Sequence, residues 1–351
     1  MTEVKFQLAL SRDFLNKDHK LAYDDVGLRL LDESSHVAYR FLDAYTDVVA
    51  PEQIDDVDGL VIIYPSVTSE TFARGAERLT VISRCGVGYD RIDLAACTEA
   101  DVAVTNAPLA LRLPTASAAL MFMLVLGKRL LVLDHLVRRG RWDLRETVQG
   151  VELRGRTLGI VGLGNSGSEL ARLVAPFEMR LLAFSAHADP QGAQRLNVAL
   201  VSLETLLHEA DFVCLHCRLT PQTHGLIGAR ELRLMKSTAY LINMARGPVV
   251  DHDALLGALR DGQIAGAGLD VFYEEPLPAD DPVTQLDNVV LSPHWTAGTV
   301  DVFRDAGTSN CEAMLRAAQG QLPDNIVNPE VIDRPGFQAK LARFWHQSPP
   351  S

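Results

Sequence analysis

Three residues in the last third of the sequence carry side chains able to bind an acid and move a proton. They are Arg246 in Asn243-Met244-Ala245-Arg246-Gly247, Glu275 in Asp270-Val271-Phe272-Tyr273-Glu274-Glu275-Pro276, and His294 in Ser292-Pro293-His294-Trp295. A guanidinium presents a planar fork of donors that pairs with a carboxylate and polarises a neighbouring carbonyl. An imidazole exchanges a proton near neutral pH, and a carboxylate beside it orients the ring and favours its charged form. Together the three suit reduction of a 2-keto acid, with one group to hold the substrate and one to donate a proton. Singly, each has an ordinary reading: Arg246 as a charge at a helix entry, Glu275 as a solvated loop acid, His294 as a histidine packed before Trp295. Their joint placement argues otherwise. Each follows an apolar strand, and open α/β sheets bind ligands at the C-terminal ends of their strands.

A reduction needs a hydride carrier, and the sequence contains a place for one. The run Thr157–Val161 (TLGIV) leads directly into Gly162-Leu163-Gly164-Asn165-Ser166-Gly167, and an amphipathic pattern follows at Leu170, Leu173, Val174 and Phe177. Glycines in G-x-G-x-x-G permit a tight turn and let the backbone approach a pyrophosphate at a helix N-terminus. Alone the motif is weak; between a strand and a helix it indicates a dinucleotide. The acidic residue that usually ends the second strand and bonds the ribose 2′-hydroxyl is missing. That strand closes Ala183-Phe184-Ser185-Ala186-His187, with Ser185 in the expected place and Asp189 nearby. Without the carboxylate, nothing at that position repels a 2′-phosphate, and His187 or Arg218 could lie close to one. NAD and NADP both stay open, with NAD slightly favoured; His187 reads better as a solvated loop residue than as a phosphate ligand.

The elements that must position these groups read as βα units. In a first series, Gly59–Tyr64, Leu79–Arg84 and Val102–Thr105 are buried strands. Residues 116–139 read as one long helix with Gly140 as its stop, and residues 141–154 as a connecting loop. The second series comprises strands at 157–161, 180–184, 212–216, 239–243, 266–271 and 289–291, six in a doubly wound parallel sheet. A helix is expected over 299–318. The stretch 321–351 is rich in proline and polar residues, with fraying after Ser348.

Composition limits the function. At 351 residues the chain exceeds the usual single core, so two lobes with a cleft between them are expected. A formal net charge of −12 opposes binding to a phosphate backbone, so no nucleic-acid partner is expected, and a small acid must be captured by a local cation. Five scattered cysteines fit reduced thiols in the cytoplasm better than a disulfide framework, and Cys214 and Cys217 read as small buried residues of a strand. The first ten residues show no secretory signal. The apolar stretch 118–126 is too short to span a bilayer, so no membrane association is expected. No metal site is read.

With these motifs and spacings, Arg246 and Glu275 being 29 positions apart and Glu275 and His294 19, the sequence resembles the D-isomer-specific 2-hydroxyacid dehydrogenase family. The resemblance implies a two-lobed α/β protein: a Rossmann-type doubly wound dinucleotide-binding domain (residues 109–317, including the interdomain helices) and a smaller flavodoxin-like catalytic domain (1–108 and 318–351). It makes Arg246 the substrate-binding arginine, Glu275 the partner of the histidine, and His294 the general acid/base. Gly86-Val87-Gly88-Tyr89-Asp90 would be the loop whose Val87 and Gly88 amides hold the substrate carboxylate, and Asn106 belongs to the same resemblance. Thr115 would touch the cofactor and Asp270 would face the nicotinamide carboxamide. Gly162, Gly164, Asn165, Ser166, Gly167, Ser185, His187, His216, Arg218, Ala245, Arg246 and His294 complete the expected cofactor site. Arg218 stands where the family usually has proline. A homodimer is implied, with its interface around the long helix and residues 141–152.

Tyr64-Pro65-Ser66 and Trp295 are expected to border the substrate, favouring short acids such as glyoxylate or hydroxypyruvate. A phosphoglycerate-like substrate would want a further cation, for which Arg84 and Arg112 are candidates. Two alternatives carry weight: a formate or phosphite dehydrogenase of the same fold, and a dinucleotide-sensing corepressor that binds peptides.

Overall fold

Short runs of Val, Ile and Leu bounded by turn residues cannot bury both faces unless they pair side by side under a cover of helices. In this chain they form two all-parallel sheets, described here for residues 5–345 in a computed structural model. The chain divides into two compact units. One comprises the chain up to Leu111 and from Gly298 onward; the other is Arg112–Ala297.

The first unit holds β1 (Phe6–Leu10), β2 (Val37–Phe41), β3 (Gly59–Ile62), β4 (Val81–Arg84) and β5 (Ala103–Asn106), in the order β2-β1-β3-β4-β5. This is the flavodoxin-like order. The alternation of side chains sends Phe6, Leu8 and Leu10 into one apolar layer, while Ala9, Leu60 and Ile62 enter the other. Gly59 is required by that packing, since a Cβ there would lie 2.6 Å from the Phe6 ring. The helix Val300–Ala318, begun by a Thr299 side-chain cap, buries Ala306, Met314 and Ala317 in the same layer as Phe6. It therefore belongs with the first sheet, whereas the sequence reading ends the dinucleotide domain at residue 317.

The second unit holds β6 (Thr157–Val161), β7 (Arg180–Phe184), β8 (Val198–Leu200), β9 (Phe212–Leu215), β10 (Tyr240–Asn243), β11 (Gly266–Leu269) and β12 (Val289–Leu291), in the order β12-β11-β10-β9-β6-β7-β8. Strand β6 is flanked by β7 and β9, so the chain reverses direction across the sheet there, which is where a doubly wound sheet opens a crevice for ligand. Both units are thus Rossmann-like α/β folds.

Five features depart from the sequence reading. Strands β1 and β2 were not expected, and β8 is a seventh strand where six were read. The expected helix 116–139 is two helices, Arg112–Gly127 and Leu130–Arg138, bent by 59°. The break falls at Arg129, whose φ of 52° is left-handed and cannot continue a right-handed helix. The expected connecting loop carries a 3-10 turn, Trp142–Thr147, and the proline-rich C-terminal stretch carries the helix Pro335–Ala342, with Phe337 and Leu341 buried. The fraying expected after Ser348 lies outside the described residues. No single helix among the described residues is long and apolar enough to cross a membrane.

Candidate active site

The glycine loop follows β6 and begins the helix Asn165–Leu173, with Gly164 as its N-cap residue. Each glycine has its own reason. Gly162 has φ +98°, and a Cβ there would lie 2.6 Å from Cys217 N; at Gly167 a Cβ would lie 2.2 Å from Gly162 O. Gly164 faces open space instead, so a phosphate can approach its backbone. The second glycine thus leaves its backbone open, and the third permits close helix–strand packing. Beside this loop, Ser166 Oγ lies 3.1 Å from His216 Nδ1, and His216 Nε2 is buried with no hydrogen-bond partner. Burial pushes the imidazole pKa down to about 4, so the ring is neutral. An unmet ring nitrogen next to an open glycine loop fits a dinucleotide well.

Ser185 is half-buried at the end of β7, and its neighbour Phe184 accepts the Gly162 N–H at 2.8 Å, which fixes the strand end against the glycine turn. His187 and Arg218 are exposed. Asp189 is committed elsewhere: its carboxylate accepts the N–H groups of Gln191 (3.0 Å) and Gly192 (2.8 Å) and pairs with Arg195 (3.3 Å). Thr115 is half-buried in the first turn of the helix Arg112–Gly127, which packs against Asn165–Leu173.

Three turns, after β10, β11 and β12, carry Arg246, Glu275 and His294. Asn243 is buried at the end of β10 and shapes the first turn, donating from Nδ2 to Arg246 O (3.0 Å) and accepting the Ala245 N–H (3.0 Å). The Arg246 guanidinium donates to Ala245 O at 2.8 Å. Gly247 lets this turn abut the next one: a Cβ there would lie 1.8 Å from Phe272 O. In that second turn the Phe272 N–H donates to Glu275 Oε1 (3.0 Å), and Glu275 Oε2 lies 2.8 Å from His294 Nδ1. Burial pushes the Glu275 pKa up, yet the hydrogen bonds from His294 and Phe272, with the charges of His294 and Arg246, outweigh it, and the net shift is downward. Asp270, buried at the end of β11, accepts the N–H groups of Trp295 (3.1 Å) and Thr296 (3.2 Å) and so braces the third turn. His294 itself has φ 52°, a left-handed conformation uncommon for a residue with a Cβ. Trp295 is exposed beside it.

The first unit carries the remaining residues singled out in the sequence. The loop after β4 turns at Gly86 (φ +144°), and Asn106 Nδ2 donates to Val87 O at 2.7 Å, steadying it. Among the described residues, the N–H groups of Val87 and Gly88 have no hydrogen-bond partner, which leaves two adjacent donors for an anion. Tyr64 follows β3 and is partly exposed, its N–H held by Asp13 Oδ2 at 2.8 Å. Arg84 ends β4 next to this loop, while Arg112 pairs with Glu169 at 3.2 Å.

Arg246, Glu275 and His294 are brought together, as are the glycine loop, Ser166 and His216. The bracing roles of Asn243, Asp270 and Gly247 were not read from sequence; their only signal was their presence in the same motifs. All five cysteines are free thiols, and among the described residues no group of three or more His, Cys, Asp or Glu is placed to hold a metal.

Residues 120–296 match the family described as D-isomer specific 2-hydroxyacid dehydrogenase, NAD binding domain. The chain is 39% identical over 309 residues to a glyoxylate reductase of Korarchaeum cryptofilum, covering 85% of this chain and 93% of that one. It is 38% identical over 278 residues to a D-3-phosphoglycerate dehydrogenase of Methanocaldococcus jannaschii, covering 79% of this chain and 53% of that one. Among solved structures, a protein of Thermus thermophilus superposes with a TM-score of 0.80 at 32% identity, covering 92% of this chain and 100% of the other.

Proposed function

Because the chain belongs to the D-isomer-specific 2-hydroxyacid dehydrogenase family, we propose that it reduces short 2-keto acids, glyoxylate and hydroxypyruvate first among them, at a centre formed by Arg246, Glu275 and His294. The chain is an NAD(P)-dependent oxidoreductase interconverting 2-keto and 2-hydroxy acids. The observation that carries the assignment of residues is the 2.8 Å pair between His294 and Glu275, with Arg246 near enough for its charge to lower the Glu275 pKa.

In this reading Arg246 pairs with the substrate carboxylate and polarises the keto oxygen. Bound nicotinamide supplies the hydride in reduction and accepts it in oxidation. Glu275 accepts a hydrogen bond from Nδ1 of His294, which leaves Nε2 to give its proton to the forming alkoxide. The glycine loop with Asn165, Ser166 and His216 binds the dinucleotide, along with Thr115, Ser185, Ala245 and Asp270. Trp295, exposed beside His294, borders the substrate and favours short acids.

A homodimer in the cytoplasm completes the proposal. The helix Leu130–Arg138 has no buried residue, and Leu130, Leu131, Val137 and Trp142 are all exposed. Nine residues make a marginal helix without packing, and an apolar surface of this kind favours a partner. Five free thiols suit a reducing compartment.

The test is the loss of nicotinamide absorbance when the purified protein meets glyoxylate, hydroxypyruvate, pyruvate and longer 2-keto acids, with NADH and with NADPH. Turnover fastest on the two-carbon and three-carbon acids supports the proposal. Turnover on formate or phosphite with NAD and none on keto acids would replace it with the rival dehydrogenase reading, and cofactor binding without turnover on any donor would favour a sensing role.

A further inference from the structure

Glu275 stands on a long turn, residues 270–282, and its carboxylate must meet a histidine on a different turn. Something must hold that turn in shape. The side chain of Asp281 is only 2% exposed, and it accepts from three directions. Its Oδ1 takes the Val283 N–H at 2.8 Å, and its Oδ2 lies 3.1 Å from His252 Nε2 and 3.2 Å from the Tyr273 hydroxyl. The rings of His252 and Tyr273 also pack together, with centroids 4.2 Å apart.

These contacts join three segments. His252 opens the helix His252–Arg260, which is fixed at its start by the Asp251 cap on Ala254 N–H. Asp281 sits on the far limb of the turn and Tyr273 on the near limb. Tyr273 directly follows Phe272, whose N–H holds Glu275 Oε1 and whose carbonyl abuts Gly247 beside Arg246. A buried carboxylate is costly unless its lone pairs are met, so the three partners of Asp281 stand or fall together. Tyr273 is 44% exposed, and its hydroxyl donates to Asp281. Glu274 and Asp253 are the other charged groups near that phenol.

We infer that His252, Asp281 and Tyr273 form a positioning network that holds the Phe272–Glu275 turn so that the Glu275 carboxylate stays against His294. The inference rests on the reading of Glu275 and His294 as the acid–base pair. None of the three residues touches substrate or cofactor in that reading; they act through Glu275.

The experiment measures the pH profile of keto-acid reduction at saturating cofactor for Tyr273→Phe, His252→Gln, Glu275→Gln, and each of the first two combined with Glu275→Gln. Tyr273→Phe and His252→Gln should each lower kcat by about 3- to 10-fold and move the alkaline limb to lower pH, in the same direction as Glu275→Gln, with KM for the keto acid nearly unchanged. In the Glu275→Gln background neither should cost anything more, because the group they position is already gone. An unshifted alkaline limb in both single variants, or losses that multiply fully with Glu275→Gln, overturns the network. If Glu275→Gln itself leaves the profile unmoved, the acid–base reading fails first, so the two failures are distinct.

Discussion

Nδ1 of His294 lies 2.8 Å from Oε2 of Glu275, although the two residues stand on turns that follow different strands. The Glu275 pKa is shifted downward, so at neutral pH the carboxylate is an acceptor only. The hydrogen between them is therefore on Nδ1, which leaves Nε2 as the nitrogen that hands over a proton in the proposed mechanism. The turn that carries His294 is left-handed at that residue and is braced by two amides bonded to Asp270, while the Glu275 contact orients the ring. The geometry of the proposed acid–base pair thus rests on backbone bonds to polar side chains, an arrangement that keeps a reacting group from drifting.

Replacing Glu275 with glutamine should narrow the pH range of reduction from the alkaline side. The carboxylate stabilises the imidazolium, and reduction needs the protonated ring. Glutamine removes the negative charge beside the ring, so the alkaline limb should move down while the rate on the acid side of it changes less. A pH–rate profile with the limb in its original place contradicts the pairing.

Cofactor choice should turn on Ser185. Asp189 is occupied in capping its own helix, so no carboxylate at the strand end opposes a 2′-phosphate. The protein should bind NADPH as well as NADH, and Ser185→Asp should weaken NADPH binding by on the order of 10-fold or more while sparing NADH. Fluorescence titration of both nucleotides measures this directly. Equal losses for both would show that Ser185 does not face the ribose.

His216, whose Nε2 is buried, should make the protein sensitive to mild acid. Its folded pKa is about 4 against an ordinary 6.5, so between those values the unfolded chain binds the extra proton and stability rises with pH. Lowering the pH from 7 to 5 should cost about 2 kcal/mol through this group alone. His216→Asn removes that contribution, so its stability should fall less over the same range in urea unfolding. Parallel pH curves for the two proteins would refute the assignment.

Much of this site was legible because its chemistry is written in short motifs. Arg246, Glu275 and His294 each follow an apolar strand, and the glycines of residues 162–167 stand between a strand and a helix. The contacts that hold those groups were not legible, because they join residues far apart in sequence. Ser166 meets His216 across 50 positions, Asp270 meets Trp295 across 25, and the partners of Asp281 come from a helix start and from the opposite limb of its own turn. The fold shows the same division. Buried strands such as β3 and β4 read clearly as apolar runs, whereas β2 is mostly half-exposed and carries Tyr39 and Arg40, and β8 is three residues long. The break at Arg129 depends on one backbone angle that no side-chain pattern reveals.

The most direct test compares wild type with His294→Ala on glyoxylate and hydroxypyruvate, with cofactor binding checked in both proteins. If His294 is the proton donor, kcat and kcat/KM should fall together by about 10²- to 10⁴-fold while the nucleotide still binds. Turnover near the wild-type rate in the variant would contradict the acid–base role on which the proposed mechanism stands.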